Sequence, residues 1–238
     1  MRNKILGLIF CAFLATPALA VPVFEAYQYR GYASGIGGEV TIVPSDWDWD
    51  VLQYYADSTK NIGRPNSFQT FCIELNEPIE ADVTYEFAFN DRAIAGGVGG
   101  GGPAGDPLSV GTAWLYQEFV SGTLEGYDYT PGDPNPPADH RQLSAGYLQC
   151  AIWWLEGEIP FNPHNIFSNA AVDMFGSEAA AKADNNGQYD VMIMNNWGWD
   201  PDEGEYSTFI QDTLVFVNPE PATVLLLGLG ALMLMRKR

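Results

Sequence analysis

Residues 147–153 read Tyr-Leu-Gln-Cys-Ala-Ile-Trp. They lie inside residues 143–156, where apolar side chains recur at the three- and four-residue spacing of a helix. Ser144 is the expected N-cap and Gly157 the expected stop. The pattern therefore predicts a helix over 143–156 that carries Gln149 and Trp153.

A second stretch, residues 70–75, reads Thr-Phe-Cys-Ile-Glu-Leu and predicts a strand at 71–75. Alternating or β-branched segments predict further strands at 39–44, 85–90, 191–195 and 213–217.

The segments between these strands predict helices and loops. A helix is predicted at 110–124 with Ser109 as its N-cap, and a weaker one at 169–183 that Gly176 interrupts. Glycine-rich residues 95–105 and proline-rich residues 130–139 are predicted loops. Because strands precede and follow the helices, we expect an α+β fold, a β-rich scaffold of sandwich or barrel-like form with an inserted helical subdomain.

The two stretches together resemble the thioester domain of bacterial surface adhesins. That family pairs an aromatic-Cys-aliphatic strand segment with a Gln-x-Ala-Ile-Trp helix segment, and the matching residues here are Phe71, Cys72, Ile73, Gln149, Ala151, Ile152 and Trp153. The resemblance extends over most of residues 21–217. It implies that the Cys72 thiol and the Gln149 carboxamide condense, with loss of ammonia, into an internal thioester.

The chemistry of a thioester gives this resemblance a function. A thioester has weak resonance and a good leaving group, so an amine or a hydroxyl on a partner can attack the Gln149 carbonyl and release Cys72. Aromatic cover from Phe71 and Trp153 would exclude water until a partner arrives. The small Ala151, with Ile152 beside it, would allow helix and strand to pack closely.

One residue departs from the simple pattern and leaves an alternative open. The x position is Cys150, a second thiol beside Gln149. Two cysteines in an exported protein form a disulfide by default, so a Cys72–Cys150 bond within a structural or polysaccharide-binding matrix protein is the alternative. Successive helical side chains point about 100° apart, which would turn Cys150 away if Gln149 faces Cys72.

The N-terminal residues have the three parts of a secretion signal, in the expected order. Arg2 and Lys4 precede an apolar run, and Ala18 and Ala20 form a small-x-small cleavage site. We therefore expect residues 1–20 to be removed, which leaves residues 21–217 as the extracellular domain.

The C-terminal segment, residues 218–238, resembles the PEP-CTERM sorting signal. Pro219, Glu220 and Pro221 precede an apolar stretch at 222–235 and a basic end at 236–238. The apolar stretch is shorter than the roughly 20 residues that span a bilayer. The resemblance implies processing by a membrane exosortase, a transient inner-membrane anchor formed by the tail helix, and delivery to the outer surface or biofilm matrix of a Gram-negative-type bacterium.

Composition excludes some functions. Thirty acidic residues against eleven lysines and arginines give a net charge of −19, which disfavours nucleic acid as a partner. No serine elbow or zinc-type cysteine and histidine spacing indicates an enzyme. A surface-protein amine or an extracellular polysaccharide is the expected partner. The oxygen-rich turn with Asp184, Asn186 and Asp190 is a weak calcium candidate, and no other cofactor is expected.

Overall fold

The computed structural model describes residues 22–28, 30–34, 37–45, 50–94, 104–133, 135 and 137–217. The predicted signal sequence, the predicted sorting tail and most of the glycine-rich loop lie outside these residues. Within the described part of the chain, no helix has the length and apolar character needed to cross a bilayer.

The scaffold is a curled, seven-stranded antiparallel sheet in the order β10-β9-β6-β1-β4-β5, with β11 also beside β9. Its strands are β1 (Val23–Tyr27), β4 (Val40–Pro44), β5 (Phe68–Thr70), β6 (Val83–Asn90), β9 (Val191–Asp200), β10 (Glu205–Phe209) and β11 (Thr213–Phe216). Two-stranded pairs are formed by β2 (Ala33–Ser34) with β3 (Gly37–Gly38), and by β7 (Arg92–Ala93) with β8 (Asp106–Pro107).

Four helices lie in sequence between β8 and β9, namely α1 (Val110–Val120), α2 (His140–Leu155), α3 (Ile166–Phe175) and α4 (Glu178–Ala181). Short 3-10 turns occupy Asp50–Tyr54 and Asp57–Thr59. The expected β-rich α+β class is confirmed, because one antiparallel sheet forms the scaffold and the helices pack against it.

The sheet curls because β5 meets β11 across a seam. Beyond Thr70 the chain no longer pairs as a regular strand, but Ile73 N–H donates to the Asp212 carbonyl at 3.0 Å. Leu214 N–H donates to the Phe71 carbonyl at 3.3 Å, and Cys72 forms an isolated bridge with Thr213. Cys72 therefore lies where the two ends of the sheet close on each other.

The helices begin and end where short-range hydrogen bonds satisfy their terminal backbone groups. Ser109 caps α1, as predicted, by accepting the Thr112 N–H at 3.2 Å. The prediction for α2 was wrong at its start, because Gln142 Oε1 accepts the Asp139 N–H at 2.9 Å and the helix already begins at His140. Ser144 lies inside the helix and accepts the Asp128 N–H instead.

The third predicted helix is two helices. Gly176 adopts a left-handed φ of +80° and ends α3, and α4 follows after Ser177. The predicted strand at 71–75 is also corrected, since the regular strand is β5 at Phe68–Thr70. Two strands of the seven-stranded sheet, β1 and β10, were not predicted from the sequence, and neither were the short strands β2, β3, β7 and β8.

Candidate functional site

The central feature of the site is a hydrogen-bonded clasp between the side chain of Gln149 and the backbone of Cys72. Cys72 N–H donates to Gln149 Oε1 at 3.1 Å, and Gln149 Nε2 donates to the Cys72 carbonyl at 2.8 Å. Gln149 is fully buried and Cys72 is partly buried. The structure thus brings together the two residues that the motif resemblance singled out, although 77 positions separate them.

The clasp exists because a strand neighbour is missing there. The antiparallel register pairs Val40 with Thr70, and its continuation would put Gly38 opposite Cys72. Instead Gly38 belongs to β3, which pairs with β2. The Gln149 carboxamide takes the place of that backbone, offering one acceptor and one donor as a strand would.

The β2–β3 hairpin packs against α2 directly over Gln149. A Cβ placed on Gly37 would lie 2.9 Å from Gln149 Cγ and 3.0 Å from Trp153 Cη2. Only a glycine allows the backbone to approach so closely, and the φ of +112° at Gly37 also favours glycine. This contact was not predicted from the sequence, although the Gly-x-Gly-Gly pattern at 35–38 was its signal.

The residues expected to shield the site have different surroundings. Trp153 is partly buried and lies beside Gln149 under the hairpin. Phe71 is fully buried and packs edge-on against Phe119 of α1, with ring centroids 5.1 Å apart. Ala151 and Ile152 are fully buried within α2.

Both cysteines of the domain are free thiols in the structure. Burial, reinforced by the nearby Glu74 carboxylate, raises the pKa of Cys72 to about 12. Burial also raises the pKa of Cys150, which is partly buried on α2. At neutral pH both side chains are therefore protonated.

A group of carboxyl side chains surrounds the seam next to Cys72. Glu74 Oε2 accepts Gln211 Nε2 at 2.9 Å, and Asp212 Oδ2 accepts the Ile94 N–H at 2.9 Å. Burial, with repulsion from Asp212 and Glu77, raises the pKa of Glu74 to about 9. Burial raises the pKa of Asp212 to about 7. The surroundings of Cys72 are thus weakly hydrated and acidic, a feature that the sequence did not reveal.

The calcium candidates lie apart from this site. Asp184, Asn186 and Asp190 line a cavity of about 440 Å³ together with Arg92. Asn186 Nδ2 donates to the Asp184 carbonyl at 3.2 Å. Among the residues that the structure describes, no group of three or more His, Cys, Asp or Glu side chains is arranged to hold a metal ion.

Comparison of the chain with protein-family models, with curated proteins and with solved structures finds no match in any of the three.

Proposed function

We propose that the protein is an exported adhesin of the bacterial surface or extracellular matrix that forms a Cys72–Gln149 thioester and attaches covalently to a partner. The observation that carries this proposal is the reciprocal clasp, which holds the Gln149 carboxamide against the residue that bears the thiol. The Cys72 N–H is positioned to stabilise negative charge that develops on Gln149 Oε1 during attack.

The bond-forming step is a condensation. The Cys72 sulfur attacks the Gln149 side-chain carbonyl carbon, the thiol proton moves to the departing nitrogen, and ammonia leaves. In the second step a partner amine attacks the same carbon, which forms an amide bond and returns a proton and the electron pair to Cys72. Each molecule can react once, so the protein would act by single attachment and not as an enzyme.

The surroundings of Cys72 favour a thioester that is slow to react without a partner. A thiol with a raised pKa is a poorer leaving group than a free cysteine of pKa about 8.5. The burial of Gln149 beneath the β2–β3 hairpin also limits the access of water. We infer that docking of a partner, by moving this hairpin, exposes the carbonyl to attack.

Export and sorting complete the proposal. The N-terminal signal would direct the chain out of the cytoplasm, and an exosortase would process the tail that contains Pro219, Glu220 and Pro221. The cell surface or matrix would then supply the amine or hydroxyl that reacts with the thioester.

Intact mass spectrometry of the purified chain under non-reducing conditions, before and after methylamine, tests the thioester. We expect a mass lower than the unmodified chain by one ammonia, and addition of one methylamine on treatment. Cys72→Ala and Gln149→Ala should show the full mass and no reaction, whereas Cys150→Ala should behave as the parent.

The disulfide alternative gives a different result in the same experiment. A mass lower by two hydrogens, unchanged by methylamine and restored by a reducing agent, would identify a Cys72–Cys150 bond. In that case Cys150→Ala would also have the full mass. The covalent mechanism would then be abandoned in favour of a structural or polysaccharide-binding matrix protein.

A further inference from the structure

A groove of about 390 Å³ lies between the segment that follows Cys72 and the β9–β10 hairpin. One side carries the carboxyl side chains of Glu77 and Glu80, and the other carries the aromatic rings of Trp199 and Phe209. The Tyr85 hydroxyl fixes the Glu80 backbone, accepting its N–H at 2.9 Å and donating to its carbonyl at 3.2 Å. The acidic side of the groove is therefore held in place by the sheet.

The residues that line the groove include acidic side chains and no basic ones. Glu77 is partly buried, and its Oε2 has no hydrogen-bond partner among the residues that the structure describes. Burial and repulsion from Glu158 raise the pKa of Glu77. None of the residues that line the groove is a lysine, arginine or histidine. Glu77 and Glu80 therefore place negative charge in the groove without a counter-charge among its lining residues, so a ligand that brings a charged donor would gain free energy there.

The opposite side of the groove favours an organic cation over a metal ion. Trp199 is 54% exposed, and Tyr206 packs edge-on against its ring with centroids 5.3 Å apart. Exposed indole faces attract ammonium groups. Apolar side chains such as Val83 and Ile210 suit methylene groups. A calcium ion would need six to eight oxygen ligands, which aromatic and aliphatic walls do not supply.

We propose that this groove binds a primary alkylammonium group, the chemistry of a lysine side chain or an aliphatic amine. The ammonium donates to Glu77 and Glu80, and its methylenes lie against Trp199 and Phe209. This binding is non-covalent and does not require the thioester, because neither Cys72 nor Gln149 lines the groove.

A titration of the full chain carrying Cys72→Ala tests the site without interference from amine attack on a thioester. Butylamine, charged at neutral pH, is compared with butanol while indole N–H signals are followed by NMR, and Trp199→Phe assigns the Trp199 signal. We expect saturable binding of butylamine in the millimolar range, and binding of butanol at least about tenfold weaker.

Two variants and a matched control locate the contacts. Glu77→Gln preserves the shape of the side chain and removes its charge, and it should weaken butylamine binding about tenfold. Trp199→Leu should weaken it to a similar extent. Glu125→Gln alters an exposed carboxylate outside the groove and should have no effect. Equal affinity for amine and alcohol, or unchanged binding in Glu77→Gln, would overturn the proposal whether or not the thioester forms.

Discussion

The guanidinium of Arg141 links the first turn of α2 to the residue that precedes β4. Arg141 Nη2 donates to Glu39 Oε2 at 2.6 Å, and both side chains are almost completely buried. The Tyr127 hydroxyl donates to the same carboxylate at 2.6 Å, and the guanidinium lies 4.0 Å from the centroid of the Tyr32 ring. Since α2 carries Gln149 and the chain before Glu39 forms the β2–β3 hairpin, this ion pair helps set the position of the candidate site.

Replacement of Arg141 should destabilise the protein strongly. Arg141→Met leaves the buried Glu39 carboxylate without its counter-charge, and we expect a loss of about 3–5 kcal/mol in the free energy of unfolding, measured by urea denaturation. Lys60→Met, which removes a largely exposed pair with Asp57, should cost less than about 1 kcal/mol. Comparable losses in the two variants would contradict the structural role of Arg141.

At the scale of elements, the site depends on three segments that meet around one carboxamide. The strand segment after β5 supplies the backbone of Cys72, α2 supplies Gln149, and the β2–β3 hairpin closes over them. The hairpin can do so only because Gly37 brings no side chain into the contact. A larger residue at position 37 therefore tests how closely the hairpin must pack against α2.

Gly37→Ala should disturb the site more than the same change at another glycine of positive φ. Gly157 is the matched control, because its φ of +88° is also left-handed but nothing lies within 4 Å of an added Cβ. We expect Gly157→Ala to cost about 1 kcal/mol through backbone strain alone. Gly37→Ala should cost a further 1–3 kcal/mol, roughly, through crowding of Gln149 and Trp153.

Two measurements separate these effects. Urea denaturation gives the stabilities, and intact mass gives the fraction of molecules that have lost ammonia. We expect that fraction to fall in Gly37→Ala and to stay at the parental level in Gly157→Ala. If the two variants behave alike in both measurements, the hairpin does not position Gln149.

Local sequence patterns predicted the strands and helices that a pattern within one segment is enough to identify. The strands β4, β6, β9 and β11 and the helices α1 and α2 lie at or near their predicted positions. The strand at 71–75 could not be placed correctly, since Gln149 replaces the expected strand neighbour of Cys72. The central strand β1 was missed, although its five residues alternate between buried and partly buried positions directly after the predicted signal sequence.

The candidate site was predictable only in part. Cys72 and Gln149 were found through a resemblance of short motifs, and the structure brings them together. The proximity of the Glu74 and Asp212 carboxyl groups was not predicted, because the two residues are 138 positions apart in the sequence. Only the closing of the curled sheet brings them near each other. Periodicity within one segment carries no information about such a contact.

At the scale of the whole molecule, acidic side chains dominate, and several of them are buried. Besides the buried Glu74 and Asp212, Glu156 is partly buried and accepts the Ser109 hydroxyl at 2.7 Å. Burial is the largest cause of a pKa raised to about 7 for Glu156 and for Asp212, and to about 9 for Glu74. The folded chain therefore retains protons that the unfolded chain releases in mildly acidic solution.

This retention predicts that the protein loses stability as the pH rises. Between about pH 5 and pH 9 the folded state binds more protons than the unfolded state, so the free energy of unfolding falls with increasing pH. Self-repulsion of a chain with a net charge of −19 acts in the same direction. We expect the free energy of unfolding to fall by at least about 2 kcal/mol between pH 5.5 and pH 8.5 in urea denaturation.

Glu74→Gln, whose neutral amide can still accept the Gln211 hydrogen bond, should reduce that loss, whereas the exposed Glu125→Gln should not. A stability that is constant or rises over this range would show that these carboxyl groups ionise in the folded protein without penalty, and the acidic seam beside Cys72 would then be better hydrated than its burial implies.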